Sequence, residues 1–140
     1  MESRVKEIIN FLEEITGATT IYPNTDIFED LGVYGDDFSE MLEKYAVEYS
    51  VDLSQYLWYF HNEEEGQNFG SLFFKPPYNR VQRIPITPML LARFTVTKKW
   101  EVDYPQHKLP EKRYDIIISK VISFFIFLGM IIFTLKKWFV

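Results

Sequence analysis

The sequence predicts an all-α protein, a small helical bundle followed by a C-terminal transmembrane helix, with room for a small irregular strand or hairpin insertion. Three observations predict it. Apolar residues recur at helical spacing in the first 16 residues and again between 38 and 49, Thr87-Pro88 opens a further periodic stretch, and an apolar run of 20 residues fills 116–135.

Val5, Ile8, Ile9, Leu12 and Ile15 fall on one stripe, so a first helix is expected over about 3–16, with Ser3 as its cap and Gly17 just past its end. A loop, ATTIYPNTDIFEDLG, follows; Pro23-Asn24 bends it and Ile27, Phe28 and Leu31 supply apolar plugs. The second helix starts at Gly35-Asp36-Asp37. Asp36 or Asp37 is suited to accept from the free amides of the first turn, and Asp37 with Glu40 resembles a capping box. Phe38, Met41, Leu42, Tyr45 and Tyr49 aim one face at a core, while Glu40, Glu43, Lys44 and Glu48 make the opposite face wet and mostly acidic.

The run Ser54-Gln55-Tyr56-Leu57-Trp58-Tyr59-Phe60 is expected to form a short third helix capped by Ser54, its rings serving a core rather than a ligand. Between 63 and 86, Gly66, Gly70, Pro76, Pro77 and Pro85 surround Leu72-Phe73-Phe74, the pattern of a loop insertion. Thr87 then caps a fourth helix with Pro88 at its first position, running through Leu90, Leu91 and Phe94 to about Lys98 or Trp100. The expected organisation is a helical domain over 1–100, a juxtamembrane linker over 101–115 containing Pro105 and Pro110, a transmembrane helix over 116–135 and a short tail over 136–140.

At about 1.5 Å per residue, the run 116–135 is about 30 Å long, the thickness of a hydrocarbon core. Its 14 Ile, Val, Leu and Phe residues each favour insertion by about 0.3 to 0.6 kcal/mol, against about 3 kcal/mol at most for Lys120. Insertion wins. The alternative, a buried core helix, usually keeps a polar face, and this run is apolar nearly all round. Lys112, Arg113 and Lys120 on one side and Lys136, Lys137 and Trp138 on the other are expected at the membrane interfaces. The larger upstream cluster of bases, and a start with no apolar leader, place the soluble domain in the cytoplasm, tail-anchored as a single-pass protein of the inner membrane.

Charge divides along the chain. Residues 1–65 hold 16 acids against 3 bases, and residues 66–140 hold 4 acids against 12 bases. The acidic part repels nucleic acid and suits a basic protein surface, while the basic part suits an anionic lipid surface.

Phe28-Glu29-Asp30-Leu31-Gly32, the acidic amphipathic stretch 36–49 and Val51-Asp52-Leu53 together resemble an acyl carrier protein, whose fold is a four-helix bundle. With Gly35-Asp36-Asp37 and the Ile86-Thr87-Pro88 start of the last helix, residues 3–100 are similar to a family of small, largely uncharacterised enterobacterial proteins of acyl-carrier-like type. In carrier proteins a serine at the start of the second helix receives a 4'-phosphopantetheine arm. The matching position here is Gly35, which has no oxygen to modify, and Asp36 and Asp37 already bring negative charge to that helix end. Ser39 is the nearest hydroxyl and the alternative attachment point. The resemblance therefore implies a carrier-like fold without the arm and with no cofactor, in which Asp36, Asp37, Glu40, Glu43 and Glu48 face a partner protein with a basic docking surface. Two alternatives stand beside it: a genuine acyl carrier with 4'-phosphopantetheine serving membrane lipid or glycolipid synthesis, and a structural or regulatory membrane protein.

No other chemistry is suggested. Cysteine is absent, His61 and His107 form no spacing motif, and no Gly-rich phosphate loop or Gly-x-Ser-x-Gly occurs. His61 with Glu63, Glu64 and Glu65 reads as an exposed charged turn rather than a metal site, and no catalytic residue is assigned.

Overall fold

The computed structural model describes residues 1–139. Helices occupy Glu2–Thr16 (α1), Gly35–Tyr49 (α2), Pro88–Thr97 (α3) and Tyr114–Phe139 (α4), with single 3₁₀ turns at Trp58–Phe60, Phe69–Leu72 and Pro77–Asn79. The chain divides into two compact units: Met1–Glu65 with Val81–Gln106, and Gly66–Arg80 with the chain from His107 onward.

The first unit is built around the expected stripes. Val5, Ile8, Phe11 and Leu12 of α1, all five apolar positions expected of α2, and Leu91, Ala92 and Phe94 of α3 are buried together with Ile27, Ile86 and Trp100. Tyr45 is fully buried, and its hydroxyl donates to the Leu91 carbonyl at 2.7 Å, tying α2 to α3. Burial raises its pKa, so the phenol stays a neutral donor. Helix α1 stops at Gly17, which takes the left-handed conformation that glycine adopts without steric cost. Helix α3 starts as expected, with the Thr87 side chain accepting from the Leu90 amide and Pro88 in the first turn. Past its end, Lys98 sends its ammonium to the Tyr49 carbonyl at 2.6 Å, neutralising the C-terminus of α2.

Several local expectations give way to tertiary contacts. Helix α1 begins after Met1 without a side-chain cap, so Ser3 lies inside it. The third helix from Ser54 does not form; only Trp58–Phe60 turns. The Ser54 amide and hydroxyl both go to the Asp52 carboxylate, and the Leu57 amide donates to the Tyr104 hydroxyl, so the first-turn donors have non-helical partners. No strand or hairpin occurs among the described residues. Among those residues, extended backbone pairs at a single parallel bridge between Asp52 and Lys99, where the Asp52 amide donates to the Lys98 carbonyl and the Trp100 amide donates to the Asp52 carbonyl. The expected linker 101–115 divides, since 101–106 falls within the first unit and Val102 and Tyr104 pack against its core.

In the second unit the turn at Phe69–Leu72 lies against the first turns of α4. Asn68 Nδ2 donates to Asp115 at 2.9 Å, and the Phe74 and Tyr114 rings meet at 5.5 Å. Gly70 is what permits the approach: a β-carbon there would overlap the Asp115 carbonyl oxygen, which is backbone and has no rotamer to change. Arg113 grips the buried Asp115 through two hydrogen bonds, at 2.9 and 2.6 Å. Beyond its base, α4 is exposed and apolar over most of its length.

Gly70→Ala should therefore free the 66–80 turn from α4. Limited trypsin digestion of the full chain should cut the exposed Arg80–Val81 bond at least about tenfold faster in the variant, the equivalent of about 1.4 kcal/mol of local opening.

Candidate functional site

The start of α2 was expected to be sealed by its own aspartates. It is sealed from a distance instead: Asn62 Oδ1 accepts from the Gly35 amide at 2.8 Å, and Asn62 Nδ2 donates to the Gly35 carbonyl at 2.9 Å. Asn62 is 4% exposed, so this two-way clamp is shielded from water. The residue at the cap position, Tyr34, is extended and makes no side-chain cap bond of its own. The capping box of Asp37 and Glu40 thus does not form, because Gly35 turns with φ at +61° and offers its amide to Asn62. Asp36 and Asp37 remain exposed in the first turn, where the helix dipole favours their charge.

Residue 35 has little room for a side chain. A β-carbon there would meet the Glu65 side chain, and although that chain can swing aside, the left-handed backbone would still be strained by any non-glycine residue. The Ser39 hydroxyl donates back to the Gly35 carbonyl at 3.1 Å, so the alternative attachment point is a helical back-bond on the same peptide group.

Along α2, Glu40, Glu43, Lys44 and Glu48 are exposed with Asp36 and Asp37. Between α1 and α2 runs an open groove of about 770 Å³, lined by the buried Phe11, the half-buried Ile15 and the exposed Val47, with Glu14, Glu43, Lys44 and Glu48. A smaller recess of about 330 Å³ continues toward the helix start past Asp37 and Glu40. Lys44 is the one base lining either. Nearby, the loop before α2 is pinned by Arg83, which reaches Asp26 at 2.6 Å and Glu29 at 2.7 Å and lies over the Phe28 ring. Asn62, Glu14, Phe11, Val47 and Arg83 were not singled out from the sequence. Asn62 and Arg83 act across 27 and 57 residues, and no local spacing signals such contacts.

His61, expected on an exposed turn, is 1% exposed. The Tyr104 hydroxyl accepts from the Trp100 indole at 2.8 Å and the Leu57 amide at 3.2 Å, which fills its acceptor capacity and sends its own proton to His61 Nε2 at 2.8 Å. His61 Nδ1 must then carry hydrogen, donating to the Ile84 carbonyl at 2.8 Å. Both ring nitrogens are engaged and the imidazole is neutral; burial, the largest cause, lowers its pKa to about 4. No cluster of three or more His, Asp or Glu able to hold a metal occurs among the described residues.

Of the expected interface residues, Lys112, Lys120, Lys136, Lys137 and Trp138 are exposed, whereas Arg113 is half-buried against Asp115. Residues 3–103 match the family model described as "Protein of unknown function (DUF1493)", and the chain belongs to that family. No curated protein and no solved structure matches the chain.

Two outcomes follow from this geometry. Asn62→Ala orphans the buried Gly35 amide and should cost about 2 kcal/mol in chemical unfolding of the full chain, whereas Glu65→Ala should cost little. The depressed His61 pKa means that the unfolded state binds a proton first. Stability is therefore complete above pH about 6.5 and falls by about 3 kcal/mol as the pH drops toward 4, a loss that His61→Gln should lack when unfolding is followed across that window.

Proposed function

We propose that this DUF1493 protein is a membrane-anchored docking module of acyl-carrier-like type, which recognises a basic protein surface through the acidic face of α2 and carries no phosphopantetheine arm at Gly35. The observation that supports this reading most is the α1–α2 groove, in which Phe11 and Ile15 and the exposed Val47 are interspersed with Glu14, Glu43 and Glu48. Such a groove fits the apolar side of a partner segment while its rim attracts lysines and arginines, speeding encounter and fixing register. Asp36, Asp37 and Glu40 extend the same charge toward the helix start.

The clamp on Gly35 and the back-bonded Ser39 support the absence of an arm. A phosphodiester at residue 35 would need a side chain where the backbone is left-handed, and one at Ser39 would have to leave its bond to the Gly35 carbonyl. Helix α4 supports the anchor: 25 of its residues are long and apolar enough to cross a membrane, and within the protein hardly any of that surface is covered. Bases near its start favour the cytoplasmic side of an inner membrane for the soluble unit.

Intact-mass analysis after co-expression with a phosphopantetheinyl transferase should return the unmodified mass; a pantetheine adduct would favour the genuine carrier. Reversing Asp37, Glu40 and Glu43 to lysine should weaken capture of the protein's partners at least about tenfold and flatten its dependence on salt, and unchanged capture would remove the docking proposal. Deletion of 116–140 should move the protein from membranes to the soluble fraction.

A further inference from the structure

The second unit holds a feature that neither the groove nor the span uses. Leu72 is 82% exposed and Phe73 67% exposed, Phe74 is exposed beside them, and Lys75 follows directly. Three consecutive large apolar side chains in water are costly for a turn that has no core of its own to build. Their position is fixed within the unit. Gly70 brings the turn onto the Asp115 backbone, Asn68 bonds the Asp115 carboxylate, and the Phe74 ring packs on Tyr114 at the first residue of α4.

The turn is thus held level with the base of the apolar helix, and Phe74 joins its exposed apolar side chains to the first residue of α4. Its charge is of one sign. Residues 66–80 contain Lys75 and Arg80 and no acid, and just before α4 Lys108, Lys112 and Arg113 outnumber Glu111. An apolar tip flanked by bases at the mouth of a span matches the interfacial layer of an anionic bilayer, where rings and leucines enter the acyl boundary and lysines stay among the headgroups.

We infer that Leu72, Phe73 and Phe74 form an interfacial wedge that inserts into the lipid layer beside α4, so that the anchor is composite: one span and one shallow loop locked together through Gly70. The inference rests on the reading of α4 as a membrane span. Its consequence for α4 is a fixed depth. With Tyr114 at the interface, Lys120 lies six residues further, about 9 Å deeper along the helix, within snorkelling reach of the headgroups. A wedge also resists rotation of the helix about its own axis, which a lone span does not.

The chain has no cysteine, so single labels can be placed without altering the background. Full-length Phe73→Cys, Phe125→Cys and Val96→Cys, each carrying an environment-sensitive fluorophore, are reconstituted into vesicles of phosphatidylcholine and phosphatidylglycerol. Nitroxide lipids then quench at either headgroup or deep acyl level. All three positions are exposed side chains, so folding is preserved. The wedge predicts headgroup-level quenching at position 73 at least about threefold stronger than at position 96, and deep quenching at position 125. Position 73 behaving like position 96 while position 125 is quenched deeply would overturn the wedge and leave the span standing. A blue-shifted but unquenched label at 73 would mean that a protein surface, including a second copy of the chain, covers it, and would overturn the wedge as well. Absence of deep quenching at 125 would overturn the span, and the composite anchor with it.

Discussion

The Tyr104 hydroxyl is the point on which the first unit depends. It takes the Leu57 amide and the Trp100 indole and gives its proton to His61, so one oxygen joins the 3₁₀ stretch before Asn62 to the segment that follows α3. Tyr56 stacks on His61 and meets Trp100 edge-on, closing the same cluster with rings. His61 and Asn62 are adjacent, and a ring held by both nitrogens leaves its neighbour little freedom. The Gly35 clamp, and with it the entry of α2, is thus tied to the segment that follows α3. A polar network of this kind is fully satisfied, and losing one member leaves the others buried without partners.

Legibility followed the range of the contacts. The stripes of α1 and α2, the Thr87-Pro88 start of α3, the stop at Gly17 and the length of the apolar helix are all local patterns of three to seven residues, repeated. These stood in the sequence because helix periodicity and capping act within a turn or two. The start of α2 looked equally local, with aspartates where a cap belongs, yet Asn62 outcompeted them from 27 residues away. Ser54 failed as a helix cap for a related reason, since its own donors turned to Asp52 and the amide of Leu57 turned to Tyr104. Local signals state what a segment prefers in isolation; a buried two-way hydrogen bond decides against them when it also removes two polar groups from water. At the candidate site, the acidic residues of α2 were legible from their spacing, but the apolar residues that share the groove with them were not, because Phe11 and Ile15 belong to another helix.

Charge was legible as a division of the chain into halves, and folding sharpens it. The first unit, Met1–Glu65 with Val81–Gln106, contains 18 acids against 7 bases, and the second contains 2 against 8. Residues 81–106 contribute four of those seven bases to the acidic unit, where two of them have structural work: Arg83 pins Asp26 and Glu29, and Lys98 terminates α2. The bases left in the second unit are almost all exposed around the apolar helix, Arg113 being the one bound to a buried carboxylate.

That sorting bears on how the proposed docking face and membrane anchor could share a short chain. A net balance of −11 in the first unit would be repelled by an anionic lipid surface within a Debye length of about 8 Å at physiological salt, while the +6 of the second would be attracted to it. On the proposed reading, basic partners are the ones that the acidic groove would attract, and an anionic lipid surface the one it would repel. If the charges were mixed evenly, the groove's carboxylates would be neutralised by nearby lysines of the same unit and would lose their reach. Lys44 is the one base placed among them, and it sits on the helix that carries most of the acids, so the rim keeps its sign. The bases that would blunt this face lie instead with the apolar helix and the Leu72-Phe73-Phe74 turn, so on the proposed reading segregation of charge would serve both surfaces at once.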